Sequence, residues 1–328
     1  MIDKRILIIG GSGALGQALV ARYKEDNVVC VFSRDEHKQE DLKLKWPDVR
    51  CILGDVKDRE SIDRALLSFQ PDIVIQAAAL KTVWTCQANP YESVKTNIIG
   101  HQNVIDAVEE SPNPVQRLVF VSTDKACNPI NVYGMCKAIS EQLYVDFSKR
   151  QLDTKVHIVR YGNVMNSTRS IIPLFRRLIM EGQDYITITD MEMTRFLLTL
   201  DEAIATIDWS LDNPDKSEGN IVVPKVKAVK IVDMMRAIGE ASGNPDIEFK
   251  KIPIRDGEKL HEEMISKFEF QRLLMHTFGP FSQNYYVIGQ GRTTESYDAV
   301  PYRSDLHLAE GDELQALLNK VKDFAENG

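Results

Sequence analysis

Short apolar runs alternate with longer amphipathic stretches through the first half of the chain. The apolar runs are RILIIG, NVVCVFS, VRCILGD, DIVIQAA, RLVFVS and KVHIVRYG. Between them lie helical patterns such as ALGQALVARYKED, ESIDRALLSF, PYESVKTNIIGHQNVIDAVEE and YGMCKAISEQLYVDFSKR. Strands that are almost continuous in Val, Ile and Leu are typical of a sheet buried on both faces. The alternation therefore predicts an α/β fold built on a doubly wound parallel sheet.

The pattern loosens after about Asn163, where turn signals appear at NSTRS, EGQD, DNPDKSEGN and IRDGEK. The helical stretches DEAIATIDWSL and VKIVDMMRAIGEA indicate a smaller C-terminal α/β lobe. We therefore predict a first domain over residues 1–165 and a second lobe over residues 166–328, with some chain crossing between them.

A glycine-rich turn follows the first predicted strand. Gly10, Gly13 and Gly16 fit the spacing G-x-x-G-x-x-G between a strand and a helix. Glycine allows the tight turn and lets backbone N–H groups approach a pyrophosphate at the helix N-terminus. This position predicts a dinucleotide cofactor, held also by the intervening Ser12, Ala14 and Leu15.

The end of the second strand bears on the choice of dinucleotide. Ser33 and Arg34 come first there, followed by Asp35 and, one turn on, Lys38. An NAD site usually places an acid at this point to bind the ribose hydroxyls. A guanidinium instead pairs with a 2′-phosphate. We favour NADP; the alternative is a solvated loop with Asp35 as the ribose acid.

Two further strand ends are expected to line the same cofactor. Asp55 and Val56 follow the third strand and are predicted to lie near the adenine. The small residues Ala77 to Ala79, after the fourth strand, leave room for the cofactor.

The segment STDKACNPINVYGMCK at residues 122–137 contains the densest candidate chemistry. Tyr133 and Lys137 lie one helical turn apart, which puts them on one face of a helix that starts here. Upstream, Thr123, Asp124 and Lys125 end the apolar run LVFVS. An acid, an amine and a phenol within one strand-to-helix connection predict an enzyme that removes a proton, a hydroxyl and a hydride from one substrate.

Composition narrows the functional classes. The chain has 328 residues, 43% of them hydrophobic, so it can bury a large core. A net charge of -8 and a pI near 5.4 argue against a polyanion-binding surface such as a nucleic-acid site. No apolar run approaches the roughly 20 residues that span a bilayer, and the start leads directly into a strand. The five cysteines lack metal-ligand spacing and predict reduced thiols in the cytoplasm.

These features together resemble the extended short-chain dehydrogenase/reductase superfamily. More closely, the chain is similar to the inverting UDP-N-acetylglucosamine 4,6-dehydratases (5-epimerases). The matching stretches are GGSGALG, SRDEHKQ, AAALKTV, NPYESVKTNIIGHQNVI, STDKACNPINVYGMCK, VRYGNVMNS, IPLF, ITDMEMTRF and RDGEKLHEEMIS. One departure is Arg169 before Ser170, where the family usually has glycine. The resemblance implies a homo-oligomer, dimer or hexamer, with the helices at 90–110 and 133–150 as candidate interfaces.

The resemblance also implies roles for the cluster. Tyr133 would take the sugar O4 proton while a hydride leaves C4 for NADP, with the Lys137 ammonium lowering the pKa of the phenol and holding the nicotinamide ribose. Lys125, kept partly neutral by desolvation, would remove the C5 proton, and a protonated Asp124 would release the C6 hydroxyl as water. Thr123 would hydrogen-bond the C4 oxygen. Val164 is expected near the cofactor.

Candidate contacts to a UDP-sugar follow from the same resemblance. Arg255 in RDGEKLHE is the first candidate for the diphosphate, and Glu258 for the ribose hydroxyls. Asn163 and Lys81 are expected to contact the sugar. Weaker candidates are Thr189 and Arg195, the latter equally a structural partner of Asp190 or Glu192. The tryptophans Trp46, Trp84 and Trp209 receive no role, as core residues.

Two other functions stay open at this point. A UDP-sugar 4-epimerase needs Tyr133, Lys137 and the dinucleotide, but not Asp124 with Lys125. A catalytically silent NADP-sensing or scaffold protein on the same fold is the alternative that is not an enzyme.

Overall fold

The computed structural model describes residues 2–150, 153–165, 171–183, 185–274, 284–291 and 300–327. Strands and helices alternate through the first half, as predicted. The strands are β1 (Arg5–Ile9), β2 (Val28–Ser33), β3 (Arg50–Leu53), β4 (Ile73–Gln76), β5 (Arg117–Val121) and β6 (Lys155–Val159). The helices are α1 (Ala14–Tyr23), α2 (Glu36–Lys45), α3 (Arg59–Phe69), α4 (Val83–Ala88), α5 (Pro90–Val94), α6 (Gly100–Glu109) and α7 (Val132–Arg150).

The second half contributes shorter elements. Its strands are β7 (Asn163–Val164), β8 (Tyr185–Ile188), β9 (Thr194–Leu198), β10 (Ile221–Pro224), β11 (Ala228–Lys230), β12 (Glu248–Lys251), β13 (Glu263–Ile265), β14 (Tyr285–Ile288) and β15 (Tyr302–Arg303). Its helices are α8 (Ile171–Met180), α9 (Leu200–Asp212), α10 (Pro214–Ser217), α11 (Ile231–Ala241), α12 (Lys267–Phe270) and α13 (Gly311–Asn327).

The largest sheet of the described chain has eight strands in the order β14-β10-β6-β5-β4-β1-β2-β3. Its neighbours pair in parallel except β14, which runs antiparallel to β10. The doubly wound parallel sheet is therefore confirmed. The strand order reverses between β1 and β4, and ligands of such sheets bind at the carboxyl ends beside that reversal.

Alternate residues of the central strands enter opposite layers of the core. Leu7 and Ile9 pack with Phe120 in one buried cluster, while Ile6 and Ile8 belong to the other. This division follows from the two-residue period of a strand. A separate apolar cluster, in which α8, α11 and α13 meet, forms the core of the smaller lobe.

The large sheet also takes strands from beyond residue 165. β10 joins it next to β6, and β14 pairs with β10 at the edge. Helix α9 packs against α1, where Arg22 pairs with Asp208 at 3.1 Å. The chain thus returns to the first domain after Asn163. The two short strands, β10 and β14, lie in a part of the sequence where turn signals dominate the pattern.

The stretch at 90–110 was predicted as one helix, which is wrong in detail. A π-helical turn at Lys95–Ile99 separates α5 from α6. Asn97 lies in this turn, and its side-chain amide exchanges two hydrogen bonds of 2.8 Å with the backbone of Leu80. The π-helical turn directs the Asn97 side chain to the loop that contains Leu80. Without this contact the backbone N–H and carbonyl groups of Leu80 would lose these hydrogen bonds. In the described part of the chain, no helix has the length and apolarity that a membrane crossing needs.

Candidate active site

The glycine-rich turn has the geometry of a phosphate cradle. Gly10 adopts a φ of 86°, and a Cβ there would lie 2.6 Å from the nitrogen of Ala78. A Cβ on Gly16 would lie 2.4 Å from Cα of Gly11, whereas on Gly13 it would meet only the Gly10 oxygen, at 3.4 Å. Gly13 also begins α1 without a side-chain cap, so the first N–H groups of the helix are available to an anion. The turn is completed by Ser12, Ala14 and Leu15.

The strand end after β2 contains the residues on which the two cofactor hypotheses depend. Asp35 caps α2 by accepting from the N–H of Lys38 at 3.1 Å, and its carboxylate pairs with the Lys38 amine at 3.0 Å. Arg34 is exposed and has only a 3.8 Å ion pair with Asp55. Ser33 is buried and accepts a hydrogen bond from Gln39. The carboxylate that an NAD site would use is thus engaged in helix capping, while the Arg34 guanidinium faces solvent.

The remaining cofactor candidates lie at the neighbouring strand ends. Val56 is buried after β3, and Ala77 to Ala79 follow β4 against the glycine-rich turn. Val164 lies in β7, where it pairs with Leu198. Their contacts with a cofactor stay predictions.

The end of β5 brings the acid and the amine together. A short 3-10 turn, Asp124–Ala126, is capped by Thr123, whose hydroxyl donates to Asp124 Oδ1 at 2.9 Å. The Lys125 amine donates to the same Asp124 oxygen at 3.0 Å and to Asn163 Oδ1 at 3.2 Å. Asp124 is fully buried, and its Oδ2 has no hydrogen-bond partner among the described residues. The structure therefore gathers Thr123, Asp124, Lys125 and Asn163 into one polar cluster.

Tyr133 and Lys137 begin α7, and both are buried. Burial raises the pKa of Tyr133 to about 12, against the opposing effects of the Lys125 charge and the Thr123 hydroxyl. Burial lowers the pKa of Lys137 to about 7, and its amine donates to the Val121 carbonyl at 2.6 Å. The expectation that the Lys137 ammonium lowers the pKa of the phenol does not hold in this structure. The cation that does so is Lys125.

The protonation of Lys125 also differs from the prediction. Burial alone lowers the pKa of its amine, but the carboxylates of Asp124 and Glu262 outweigh that effect and raise it above its ordinary value. Lys125 is therefore an ammonium here, paired with Asp124, and is not a partly neutral amine.

Glu262 is a member of this cluster that the sequence did not reveal. Its Oε1 lies 3.6 Å from the Lys125 amine and 3.9 Å from Arg195 Nε. It stands among the charged residues of RDGEKLHEE, about 140 positions from Lys125, and nothing in that spacing indicates a contact.

A buried ion-pair network lies next to the polar cluster of Thr123, Asp124, Lys125 and Asn163. Arg160, at the end of β6, binds Glu141 of α7 through two hydrogen bonds, of 2.6 and 2.9 Å, and Glu269 of α12 at 2.7 Å. Glu141 also accepts from Ser122, the residue that precedes Thr123, at 2.6 Å. The network joins β5, β6, α7 and the second lobe, and no local sequence signal predicted it.

The predicted substrate contacts fall at different places. Arg255 is exposed, and its guanidinium lies 4.6 Å from the ring centroid of Trp84. Glu258 accepts from the Arg255 backbone N–H at 3.3 Å, which closes the turn. Lys81 is exposed in the loop before α4. The prediction that Trp84 is a core residue is wrong, because 47% of it is exposed.

Arg195, a weaker substrate candidate in the sequence, has its guanidinium engaged within the protein. It is buried, and its guanidinium donates to the carbonyls of Thr194, Lys259 and Leu260. Its acidic neighbour is Glu262 rather than Asp190 or Glu192, which bind Lys251 and Lys230. Thr189 is buried with its hydroxyl 3.8 Å from a methionine sulfur. Arg169 lies outside the described residues.

The doubly wound sheet, the glycine-rich turn at its switch point and the Tyr133–Lys137 pair on one helix define an extended short-chain dehydrogenase/reductase. The chain belongs to the family described as polysaccharide biosynthesis protein, which matches residues 6–277. The resemblance seen in the sequence is thereby confirmed. Within the described residues, no group of three or more His, Cys, Asp or Glu side chains has the arrangement of a metal site.

Proteins similar to this chain are named for two different activities. A Campylobacter jejuni protein named UDP-N-acetylglucosamine 4,6-dehydratase (inverting) is 40% identical over 294 residues, 87% of this chain and 82% of that protein. A Rickettsia massiliae protein named UDP-glucose 4-epimerase is 33% identical over an alignment covering 99% of both chains. The X-ray structure of Pen from Bacillus thuringiensis has a TM-score of 0.86 and 30% identity, covering 100% of this chain and 99% of that one.

Proposed function

We propose that the protein is a UDP-N-acetylglucosamine 4,6-dehydratase that inverts C5 and yields UDP-2-acetamido-2,6-dideoxy-β-L-arabino-hex-4-ulose for surface-glycan synthesis. The observation that carries this proposal is the hydrogen bond of 3.0 Å between Lys125 and Asp124 at the end of β5. An amine and a carboxyl group in contact provide the base and the acid that elimination of water requires. The name of the Campylobacter jejuni relative supports the same reaction.

The cofactor that we propose is NADP. The turn at Gly10, Gly13 and Gly16 fits its pyrophosphate, because only at Gly13 is the space beside the backbone open. Arg34 and Lys38 would pair with the 2′-phosphate. When bound, NADP would supply a hydride acceptor for oxidation at C4 and a hydride donor for C6, and return of the hydride to C6 has to be matched by one proton at C5.

Oxidation at C4 requires a base for the O4 proton, and Tyr133 is the proposed base. Thr123, next to the phenol, is proposed to hydrogen-bond the C4 oxygen. Lys137 anchors the start of α7 through the Val121 carbonyl and is proposed to hold the nicotinamide ribose. The resulting ketone acidifies the hydrogen at C5.

Elimination needs a free amine and a carboxylic acid, whereas the raised pKa of the Lys125 amine favours an ammonium paired with Asp124. One proton moved along the 3.0 Å hydrogen bond, from Lys125 Nζ to Asp124 Oδ1, produces both required forms. Lys125 then removes the C5 proton while Asp124 donates its proton to the departing C6 hydroxyl. The step ends with the ammonium and the carboxylate restored, so the pair needs no outside proton.

Substrate binding is proposed to use the exposed Arg255 and Lys81 together with the half-buried Glu258 and Asn163. Arg255 would pair with the diphosphate and Glu258 with the ribose hydroxyls, while Asn163 and Lys81 would contact the sugar. The reaction is proposed to occur in the cytoplasm, where the free cysteines of the described chain stay reduced.

We also propose a homo-oligomer, either a dimer or a hexamer. Large apolar side chains are exposed on the helices around α5 and α7, and these two helices lie against each other. The residues concerned are Tyr91, Ile99, Met135 and Ile139, each at least 47% exposed. Such a surface is typical of a contact between subunits.

The test is incubation of the purified protein and NADP with UDP-N-acetylglucosamine, followed by mass spectrometry. We expect a product lighter by one water, without net reduction of NADP. In deuterated water, NMR of this product is expected to show deuterium at C5 with the inverted configuration. Unchanged substrate across several UDP- and dTDP-sugars contradicts the proposal.

A second candidate is a UDP-sugar 4-epimerase, favoured by the identity to the Rickettsia massiliae protein. That reaction uses Tyr133 and Lys137 but needs no acid and amine beside them. An isomeric product of unchanged mass, still formed by Lys125→Met, selects this candidate.

A further inference from the structure

Glu262 is a buried carboxylate that the proposed reaction does not use. It is 3% exposed, and its Oε1 lies 3.6 Å from the Lys125 amine. Its Oε2 has no hydrogen-bond partner among the described residues. A buried carboxylate oxygen without a hydrogen bond destabilises a fold. The arrangement therefore calls for a reason other than stability.

The backbone of Glu262 is fixed on both sides. Its N–H donates to the Ser304 hydroxyl at 2.9 Å, and its carbonyl accepts from the Ser304 N–H at 2.8 Å. Ser304 is fully buried. This pairing directs the Glu262 side chain from the second lobe to the end of β5, where Lys125 lies.

The other cations near Glu262 have partners of their own. Arg195 donates to three backbone carbonyls, and the Lys259 amine donates to the Cys127 carbonyl at 2.7 Å. Arg195 lies 3.9 Å and Lys259 lies 4.0 Å from the Glu262 carboxylate, so both compensate its charge. Neither of them uses Glu262 as its hydrogen-bond acceptor. Lys125 is the cation nearest to the carboxylate, and the only one of the three to which the proposed function gives a chemical step.

We propose that Glu262 is a positioning residue for elimination: together with Asp124 and Asn163 it holds the Lys125 amine, and it determines how many protons the Asp124–Lys125 pair carries. This inference rests on the proposed function of that pair. Glu262 acts through Lys125 and is not assigned a contact with the substrate.

The charge of Glu262 has a defined effect on the pair. The elimination-ready pair carries one proton, so the rate falls at low pH, where a second proton binds, and at high pH, where the last one is lost. A neighbouring negative charge favours protonation of the pair, and Glu262 is one of the carboxylates that raise the pKa of the Lys125 amine. The titratable groups facing the pair are Glu262, Arg195 and Tyr133, with Lys259 beyond Glu262. Removing the carboxylate charge therefore moves both limbs of the pH profile to lower pH.

The experiment compares three variants in the full-length protein. Glu262→Gln removes the charge but keeps a side-chain oxygen for the amine, and Glu262→Ala removes both. Glu263→Gln is the matched control, because this neighbouring carboxylate binds Asn128 and does not face Lys125. The rates to measure, across pH, are loss of water and incorporation of deuterium at C5 with UDP-N-acetylglucosamine. The Lys125 side chain is also titrated by NMR in 13C-lysine-labelled protein without substrate, with Lys125→Arg to assign its signal.

We expect Glu262→Gln to shift both limbs, and the NMR titration of Lys125, to lower pH by on the order of one unit. Glu262→Ala is expected to lose about 100-fold in C5 exchange while transient reduction of NADP persists. Glu263→Gln should match the parent protein. A Glu262→Gln profile and titration that superimpose on those of the parent overturn the inference. Failure of the parent protein to release water contradicts the proposed function instead, and the NMR titration still decides whether Glu262 controls the protonation of Lys125.

Discussion

Lys125 donates a hydrogen bond of 3.0 Å to the carboxylate of Asp124, its immediate neighbour in the chain. Adjacent side chains of an extended strand point to opposite faces, so this contact depends on the 3-10 turn that follows β5. The Thr123 hydroxyl stabilises the turn by accepting from the Lys125 backbone N–H at 3.4 Å. The strand end thereby presents a carboxyl group and an amine from consecutive residues.

The first prediction separates elimination from oxidation. Lys125→Met and Asp124→Asn should each reduce loss of water by about 100- to 10,000-fold, because each removes one proton-transfer group. Transient reduction of NADP by the substrate should persist because Tyr133 and Lys137 are unchanged, but more slowly in Lys125→Met, where the phenol loses the Lys125 charge that lowers its pKa. Stopped-flow absorbance of the reduced cofactor, with mass analysis of the product, measures both steps. Equal loss of the two steps would show that the pair serves oxidation instead.

A second prediction concerns the phenol. Tyr133→Phe should abolish hydride transfer while leaving NADP affinity within about threefold, because only the proton acceptor is lost. The phenolate is the active form, and burial raises the pKa of Tyr133 to about 12. Below that pH the phenolate fraction falls about tenfold per unit, so the oxidation rate should rise as pH increases through the neutral range. A pH-independent single-turnover oxidation rate contradicts the assignment.

The cofactor preference provides a third prediction. Arg34→Ala should weaken NADP binding by about tenfold to a hundredfold and leave NAD binding nearly unchanged, since only NADP has the 2′-phosphate. Calorimetry with both dinucleotides measures the change. Arg64→Ala, an exposed arginine on α3, is the control. An equal effect of Arg34→Ala on both cofactors would count against NADP as the preferred partner.

The parts of this structure that the sequence predicted are those with local signals. Three such signals are visible within a short stretch of sequence. They are the near-continuous apolar strands, the glycine spacing at Gly10 to Gly16, and the one-turn separation of Tyr133 and Lys137. Each is the direct consequence of a backbone period or of a missing Cβ. The main sheet and the start of α7 were therefore predicted correctly.

The features that escaped prediction depend on distant pairs. Glu262 reaches Lys125, and Arg160 joins Glu141 to Glu269, only because the second lobe folds against the end of the sheet. Charged residues in the sequence look the same whether they are solvated or buried. The protonation of Lys125 was misjudged for this reason, because one of the two carboxylates that raise its pKa is Glu262.

A fourth prediction tests the Arg160 network. Arg160→Met should lower the free energy of unfolding by about 3–5 kcal/mol, because it leaves two buried carboxylates without their partner. The double variant Arg160→Met with Glu141→Gln should recover part of that loss. Urea unfolding followed by circular dichroism measures both. Additive losses in the double variant would contradict a coupled pair.

The last prediction concerns the pH dependence of stability. Burial alone raises the pKa of the Glu269 carboxyl, but Arg160 and the hydrogen bonds from Ser266 outweigh it and lower the pKa to about 2 from an ordinary value of 4.5. A carboxyl whose pKa is lower in the folded state stabilises the fold above its unfolded pKa. That contribution, about 3 kcal/mol, should be lost as pH falls from about 4.5 to 2. Glu269→Gln should be less stable than the parent at pH 7 and should lose less stability over that window. Glu36→Gln changes an exposed glutamate on α2 and should follow the parent curve of stability against pH. Parallel stability curves for Glu269→Gln and the parent would show that Glu269 does not hold its charge through Arg160.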